Sequence, residues 1–108
     1  MKFKIYQIKD IETCPYSFWK YDEKKFSLDD YKVVWESNEY FPINNTNSGN
    51  IISVLERIFE IFNLNHPEGF KGHSLSVSDV VEIIDDGENS GFYYCDNFGW
   101  KKIEVANR

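Results

Sequence analysis

Between residues 51 and 62, Ile51, Ile52, Leu55, Ile58, Phe59 and Phe62 recur at spacings of three and four. That period puts one broad apolar stripe on an α-helix of about three turns, with Glu56, Arg57 and Glu60 on the opposite side. Ser48 or Asn50 can cap its start, and Asn63 followed by Pro67 stops the pattern. A stripe of this width has to be buried, so the helix must lie on a sheet supplied by the rest of the chain.

The flanking segments supply strands. Residues 2–8, KFKIYQI, are rich in β-branched and aromatic side chains and read as a strand with Phe3 and Ile5 on one face. Residues 12–26 carry aromatics at nearly every second or third place among charges, and Pro15 keeps Cys14 out of a helix, so an irregular or briefly helical cover is expected. Ser27-Leu28-Asp29-Asp30 predicts a helical turn, with the Ser hydroxyl as cap and the carboxylates at the positive end. Residues 31–36 have strand composition, while the polar run 44–50 is a loop and the segment expected to move most. After the helix comes a long connection over 63–79, with Gly69 and Gly72 around Phe70-Lys71; loops of this length in compact domains are often functional. Residues 80–84 and 92–95 read as strands about a hairpin loop at 85–91, and 96–99 makes a second tight turn. Residues 100–105 close the meander with Ile103 and Val105 inward and Lys102 and Glu104 outward. The expected fold is α+β: an antiparallel sheet of about five strands in ββαβββ order with one main helix packed on it, in a single domain over 1–108.

Charge narrows the partners. Twelve basic against 18 acidic residues give a net charge of -6, which repels nucleic-acid backbones and anionic membranes, so neither is expected as a direct ligand. Nine Phe, seven Tyr and three Trp let a short chain bury a large apolar area, which argues for a folded domain. Cys14 and Cys95 are too few for a cystine scaffold, the start MKFKIYQIKD has no apolar signal region, and no apolar run is long enough to span a bilayer. The expectation is a cytoplasmic protein with reduced thiols, in which the glycosylation pattern at 44–46 carries no meaning.

Several groupings have the residue types of a reaction centre without its spacing. His66 and His73, with Asp79 or Asp96, offer metal-ligand chemistry, but a seven-residue offset between histidines in a glycine-containing loop fixes no geometry; the preferred reading has His66 in a turn and His73 bonded to backbone. Ser74, Ser76 and Ser78 beside His73 and Asp79 supply triad residue types, yet sequence neighbours seldom converge. Leu75 and Val77 are instead expected buried, with the hydroxyls serving backbone or solvent and Asp79 and Asp96 fixing the turns that follow them. Gly69, Gly72 and Lys71 lack a phosphate-loop pattern, and Asp85, Asp86 and Glu88 lack a calcium-loop spacing. No metal or cofactor is expected, and no catalytic residue is assigned.

LERIFEIFNLNHPEGFKGHSLSVSDVVEI, followed ten residues on by YYCDNFGWKKI, closely resembles the YodL-like domain of Gram-positive bacteria, and the start MKFKIYQIKD with YSFWKYDE is similar to that family's first segment. The run from Phe70 to Val81 is the most specific part, residues 40–50 the poorly matched one. The resemblance implies a domain found free or within larger proteins of conjugative and phage-like elements, often beside antirestriction domains, and it brings no established catalytic residues. Trp100 and the aromatics around Trp19 depart from the family pattern.

The function expected from charge and resemblance together is that of a small acidic protein-binding modulator, specifically an anti-defence inhibitor of antirestriction or anti-CRISPR type acting on a host protein such as a nuclease with a basic groove. Trp19, Tyr21, Phe70 and Trp100 are the aromatic candidates for the partner-binding surface. Asp22, Glu23, Asp29, Asp30, Asp85, Asp86 and Glu88 are the carboxylates, and Lys71 and His73 complete the set; Glu36 and Glu39 add charge nearby. The protein is expected as a monomer or weak homodimer. Two alternatives stay open: a regulator of a cytoskeletal or other cellular machine, and a small hydrolase or transferase using the loop 66–79 with His73 as general base. The same loop can also be a fold determinant without a site.

Overall fold

The computed structural model describes residues 2–37, 51–64, 66–84 and 87–105. It contains strands β1 (Lys2–Ile8), β2 (Tyr31–Glu36), β3 (Val80–Ile84), β4 (Gly91–Asp96) and β5 (Gly99–Ile103), with helix α1 (Ile51–Leu64) between β2 and β3. The strands form one antiparallel sheet in the order β2-β1-β3-β4-β5. The α+β class and the ββαβββ order therefore hold. Expectations about the loop 44–50, the caps Ser48 and Asn50, and Glu39, Asp85 and Asp86 fall outside the described residues.

Both faces of the sheet are covered, which makes three layers. On one face Phe3, Ile5, Val81, Ile83 and Tyr93 meet Val54, Leu55, Ile58 and Phe62 of α1. On the other, Tyr6, Ile8, Val80, Phe92, Tyr94 and Ile103 are sheltered by Tyr16, Tyr21, Phe26 and Leu28, the irregular aromatic cover. Alternation along β1 explains how one strand feeds two cores, because successive side chains point to opposite faces. A register shift between Ile5 and Tyr6 in the β1–β2 pairing lets Val34 reach the helix side while Tyr31 joins the aromatic side.

The helix is one turn-half longer than its stripe and turned slightly from the expected phase. Ile52, expected in the stripe, is 42 % exposed, and Val54 is buried in its stead. The two residues lie on opposite margins of the stripe, and packing decides which margin meets the sheet. Ser27 caps the short 3-10 turn Leu28–Asp30 by accepting from the Asp29 N–H, as expected from its sequence. Val77, expected buried, is only half-buried, whereas Leu75 is fully inside.

Candidate functional site

One end of the sheet gathers the chain's irregular segments: the cover 9–30, the connection 66–79 and the β4–β5 turn at 97–98. What holds them begins with Gln7. It follows Phe3 and Ile5 on the helix-facing side of β1, beyond the reach of α1, so an amide occupies a core-facing position and is buried. Its Oε1 accepts from the His73 N–H at 3.1 Å, and its Nε2 donates to the His73 carbonyl at 2.8 Å and to Asp79 Oδ2 at 3.1 Å. Both amide hydrogens are thereby committed. The side chain imitates a strand neighbour, pairing with one residue's backbone through both of its polar groups.

Asn63, at the end of α1, repeats the device two residues further along. Its Oδ1 accepts from the Leu75 N–H and its Nδ2 donates to the Leu75 carbonyl. Gly72 makes the first clasp possible, since a Cβ there would stand 2.2 Å from Gln7 Oε1. Beyond the clasps, Asp79 Oδ2 also accepts from the Ser76 N–H at 2.9 Å, and the Ser78 carbonyl accepts from the Tyr31 hydroxyl at 2.7 Å. Ser78 N–H donates to the Cys95 carbonyl, while Cys95 N–H donates to the Asp79 carbonyl. The long connection is thus fastened to the sheet and helix through most of its length.

Asp79 is the unusual ionisable group of this network. Burial pushes its carboxyl up to about 7, against the opposing pull of the Ser76 N–H, the neighbouring His73 and the Gln7 amide. His73 itself lies on the surface and is bonded to backbone as expected, with Nδ1–H donating to the Ser74 carbonyl at 2.7 Å. No seryl hydroxyl is bonded to its ring among the described residues; the Ser78 Oγ instead accepts from the Phe18 N–H at 3.0 Å. His66 packs against Phe70 rather than against His73. Among the described residues, no three of His, Cys, Asp and Glu gather to hold a metal ion.

The expected binding residues separate into three groups. Trp19 stands out at 61 % exposure, beside Phe18 at 49 %, and the fully exposed Phe98, which sequence reasoning did not single out, lies in the β4–β5 turn at the same end of the sheet. Asp29 and Glu23 are also exposed at this end. A second group is engaged in the fold. Tyr21 is half-buried because its ring packs on Phe26 and Tyr94, Phe70 because its ring meets Phe62 at 5.1 Å, and Trp100 because it packs against Phe59. Asp22 fastens its own turn by accepting from the Lys24 N–H, and Asp30 accepts from the Tyr16 hydroxyl at 2.6 Å. Lys71 donates its backbone N–H to the Val34 carbonyl and covers part of β2, although its side chain is exposed. Glu88 forms the third group, alone at the opposite end of the sheet in the turn Gly87–Asn89.

The backbone beneath the exposed rings is strained. Phe18 has φ of 59° and Ser78 φ of 86°, both in the left-handed region that a side chain disfavours by roughly 1–2 kcal/mol. The two strained residues are joined by the Phe18 N–H to Ser78 Oγ bond, and the Phe18 ring leans on His73 at 6.1 Å between centroids. Trp19 is held next to them through its carbonyl, which accepts from the buried Tyr94 hydroxyl at 2.7 Å. Tyr21 N–H donates to Asp96 Oδ1, which also takes the Asn97 N–H and so ties the cover to the β4–β5 turn.

No curated protein and no solved structure matches the chain at a significant level. A family model for the YodL-like domain matches residues 2–105, nearly the whole chain and every element just described. The protein belongs to the YodL-like domain family.

Proposed function

We propose that this domain acts by binding another protein through the end of the sheet where Phe18, Trp19 and Phe98 are exposed. The observation that carries the reading is the pair Phe18-Trp19: two large rings turned outward from a backbone that is strained at one of them and hydrogen-bonded at both. Large exposed aromatics on a fixed backbone are the usual anchors of protein interfaces, because little conformational freedom is lost on docking. Strain at an exposed position is also what a binding surface retains and a purely structural turn relaxes.

The net charge of -6 gives the surface its class of partner: a basic protein, steered in by the field. In its specific form the proposal is an anti-defence inhibitor in the cytoplasm of a Gram-positive host, encoded on a mobile element and occupying the groove of a nuclease or restriction complex. Two free cysteines fit a reducing compartment.

The test is capture from a host lysate on the immobilised domain, at low and at moderate salt, beside the Trp19→Ala/Phe98→Ala double variant. A basic nuclease or restriction protein retained by the wild type, released by salt and lost with the variant supports the proposal. Equal retention on both, or none on either, removes the aromatic end as the working surface. Salt-resistant capture of a filament protein replaces the inhibitor by a regulator of a cellular machine.

A further inference from the structure

Asp79 stands where the two supports of the exposed rings meet. The Phe18 N–H is held by Ser78 Oγ at 3.0 Å, one residue along the chain from Asp79, and the Phe18 ring leans on His73 at 6.1 Å between centroids. His73 is held in turn by Gln7, whose Nε2 donates both to the His73 carbonyl at 2.8 Å and to Asp79 Oδ2 at 3.1 Å. The carboxyl itself is arranged as an acid. It is 1 % exposed, Oδ2 takes both the Gln7 amide and the Ser76 N–H, and Oδ1 accepts no hydrogen bond among the described residues. An ion spreads its charge over both oxygens and needs donors at each, whereas in the neutral acid one oxygen carries the proton and no charge is buried.

We infer that the Asp79 proton sets whether the binding end is assembled: with it, Gln7 clasps His73 and Ser78 holds Phe18; without it, the charged carboxylate draws in water, the stretch 73–79 opens and Phe18 loses its fixed pose beside Trp19. His73 faces the carboxyl from the connection, Tyr31 from β2, and Tyr94 and Cys95 from β4, while β1 presents the neutral Gln7. Burial keeps Tyr31, Tyr94 and Cys95 protonated at neutral pH, which leaves Asp79 and His73 to decide the charge there. The closed network holds the Asp79 proton up to about pH 7, and the opened, hydrated carboxyl releases it at an ordinary value of 3.8. Opening therefore becomes easier as pH rises between the two, and above about pH 7 the effect is complete.

The inference rests on the protein-binding reading and adds a regulation of that site: a partner docking on the preformed rings is held more tightly in acid than in base. Amide hydrogen exchange of the full chain, followed by NMR at about pH 4 and about pH 8 and corrected for the chemical exchange rate at each, tests it without any partner. The Phe18 and Ser76 N–H groups report the stretch, and the Ile58 N–H in α1 reports the whole fold. Protection of Phe18 and Ser76 should fall about thirtyfold from the lower to the higher pH, through openings that dilute urea does not accelerate, whereas Ile58 exchanges by urea-sensitive unfolding. In Asp79→Asn the fall should be absent, and in His73→Gln it should persist. An equal fall in Asp79→Asn, its disappearance in His73→Gln, or a Phe18 exchange as urea-sensitive as that of Ile58 overturns the inference. The two readings fail separately. A pH-dependent opening without any captured protein overturns the protein-binding proposal and leaves the switch standing, while capture without that opening overturns the switch alone.

Discussion

Replacing Asp79 by Asn should stabilise the domain above about pH 7 and leave it nearly unchanged at about pH 4. The carboxyl is 1 % exposed and its proton affinity is raised from an ordinary value of 3.8 to about 7, chiefly by burial. A folded-state value above the unfolded one means that the fold holds a proton which the unfolded chain releases. The stabilisation from that proton is complete below about pH 4 and is lost as pH rises through about 7. Each tenfold change in proton affinity is worth about 1.4 kcal/mol, so the ceiling on the loss is about 4 kcal/mol. Relaxation around the ionised group brings the expected loss to ~2 kcal/mol.

Asn keeps the oxygen that accepts from the Ser76 N–H and the Gln7 amide, and it carries no charge at any pH. Urea unfolding followed by tryptophan fluorescence, at about pH 4 and about pH 8, gives four stabilities whose double difference isolates Asp79 from the other carboxylates. The expected result is a variant close to wild type at the lower pH and more stable by ~2 kcal/mol at the higher. A variant weakened equally at both values would refute the reasoning, because it would show that the ionised carboxylate, not the acid, is the partner the network requires.

Gly72→Ala forces a Cβ against Gln7 Oε1 and opens the first clasp; a loss of ~2 kcal/mol in the same urea assay is expected, and a loss no larger than that of an exposed Gly→Ala change would count against the clasp. Phe18→Gly relieves the backbone at φ 59° and should hold or raise stability by up to ~1 kcal/mol while abolishing capture of the partner; a destabilised variant would mean that the ring serves the fold. The Cys95 thiol, buried and raised to about 12, should resist alkylation at about pH 8 until urea unfolds the chain, as peptide mass spectrometry can show; rapid labelling of Cys95 in the native protein would contradict its enclosure.

The elements with a period were legible in the sequence. β2 and β3 occupy the expected residues 31–36 and 80–84, and α1 runs two residues past its last expected turn. What periodicity does not carry is bonding between a side chain and a distant backbone. Gln7 and His73 are 66 residues apart, and nothing local at either announces the other. A weaker signal was present: Gln7 holds the inward position after Phe3 and Ile5, where a polar residue must find partners or unfold the strand's end. Asn63, read as a helix stop, does stop the stripe, but its amide then fastens Leu75. The positive φ at Phe18 was beyond reach, because nothing in the residue type favours it.

These particulars bear on what the signature run from Phe70 to Val81 is for. Its inward groups are engaged one after another, His73 and Leu75 by amide clasps, Ser76 and Gln7 by Asp79, Ser78 by Tyr31 and Cys95. A residue whose polar groups are all satisfied internally has little left with which to hold a partner. The run is therefore better understood as the frame, and the surface it frames is the one with unmet chemistry, the exposed rings of Phe18 and Trp19. Substitutions in the frame should act through folding, and substitutions on the surface through binding, so a stability measurement beside each binding measurement separates the two roles residue by residue.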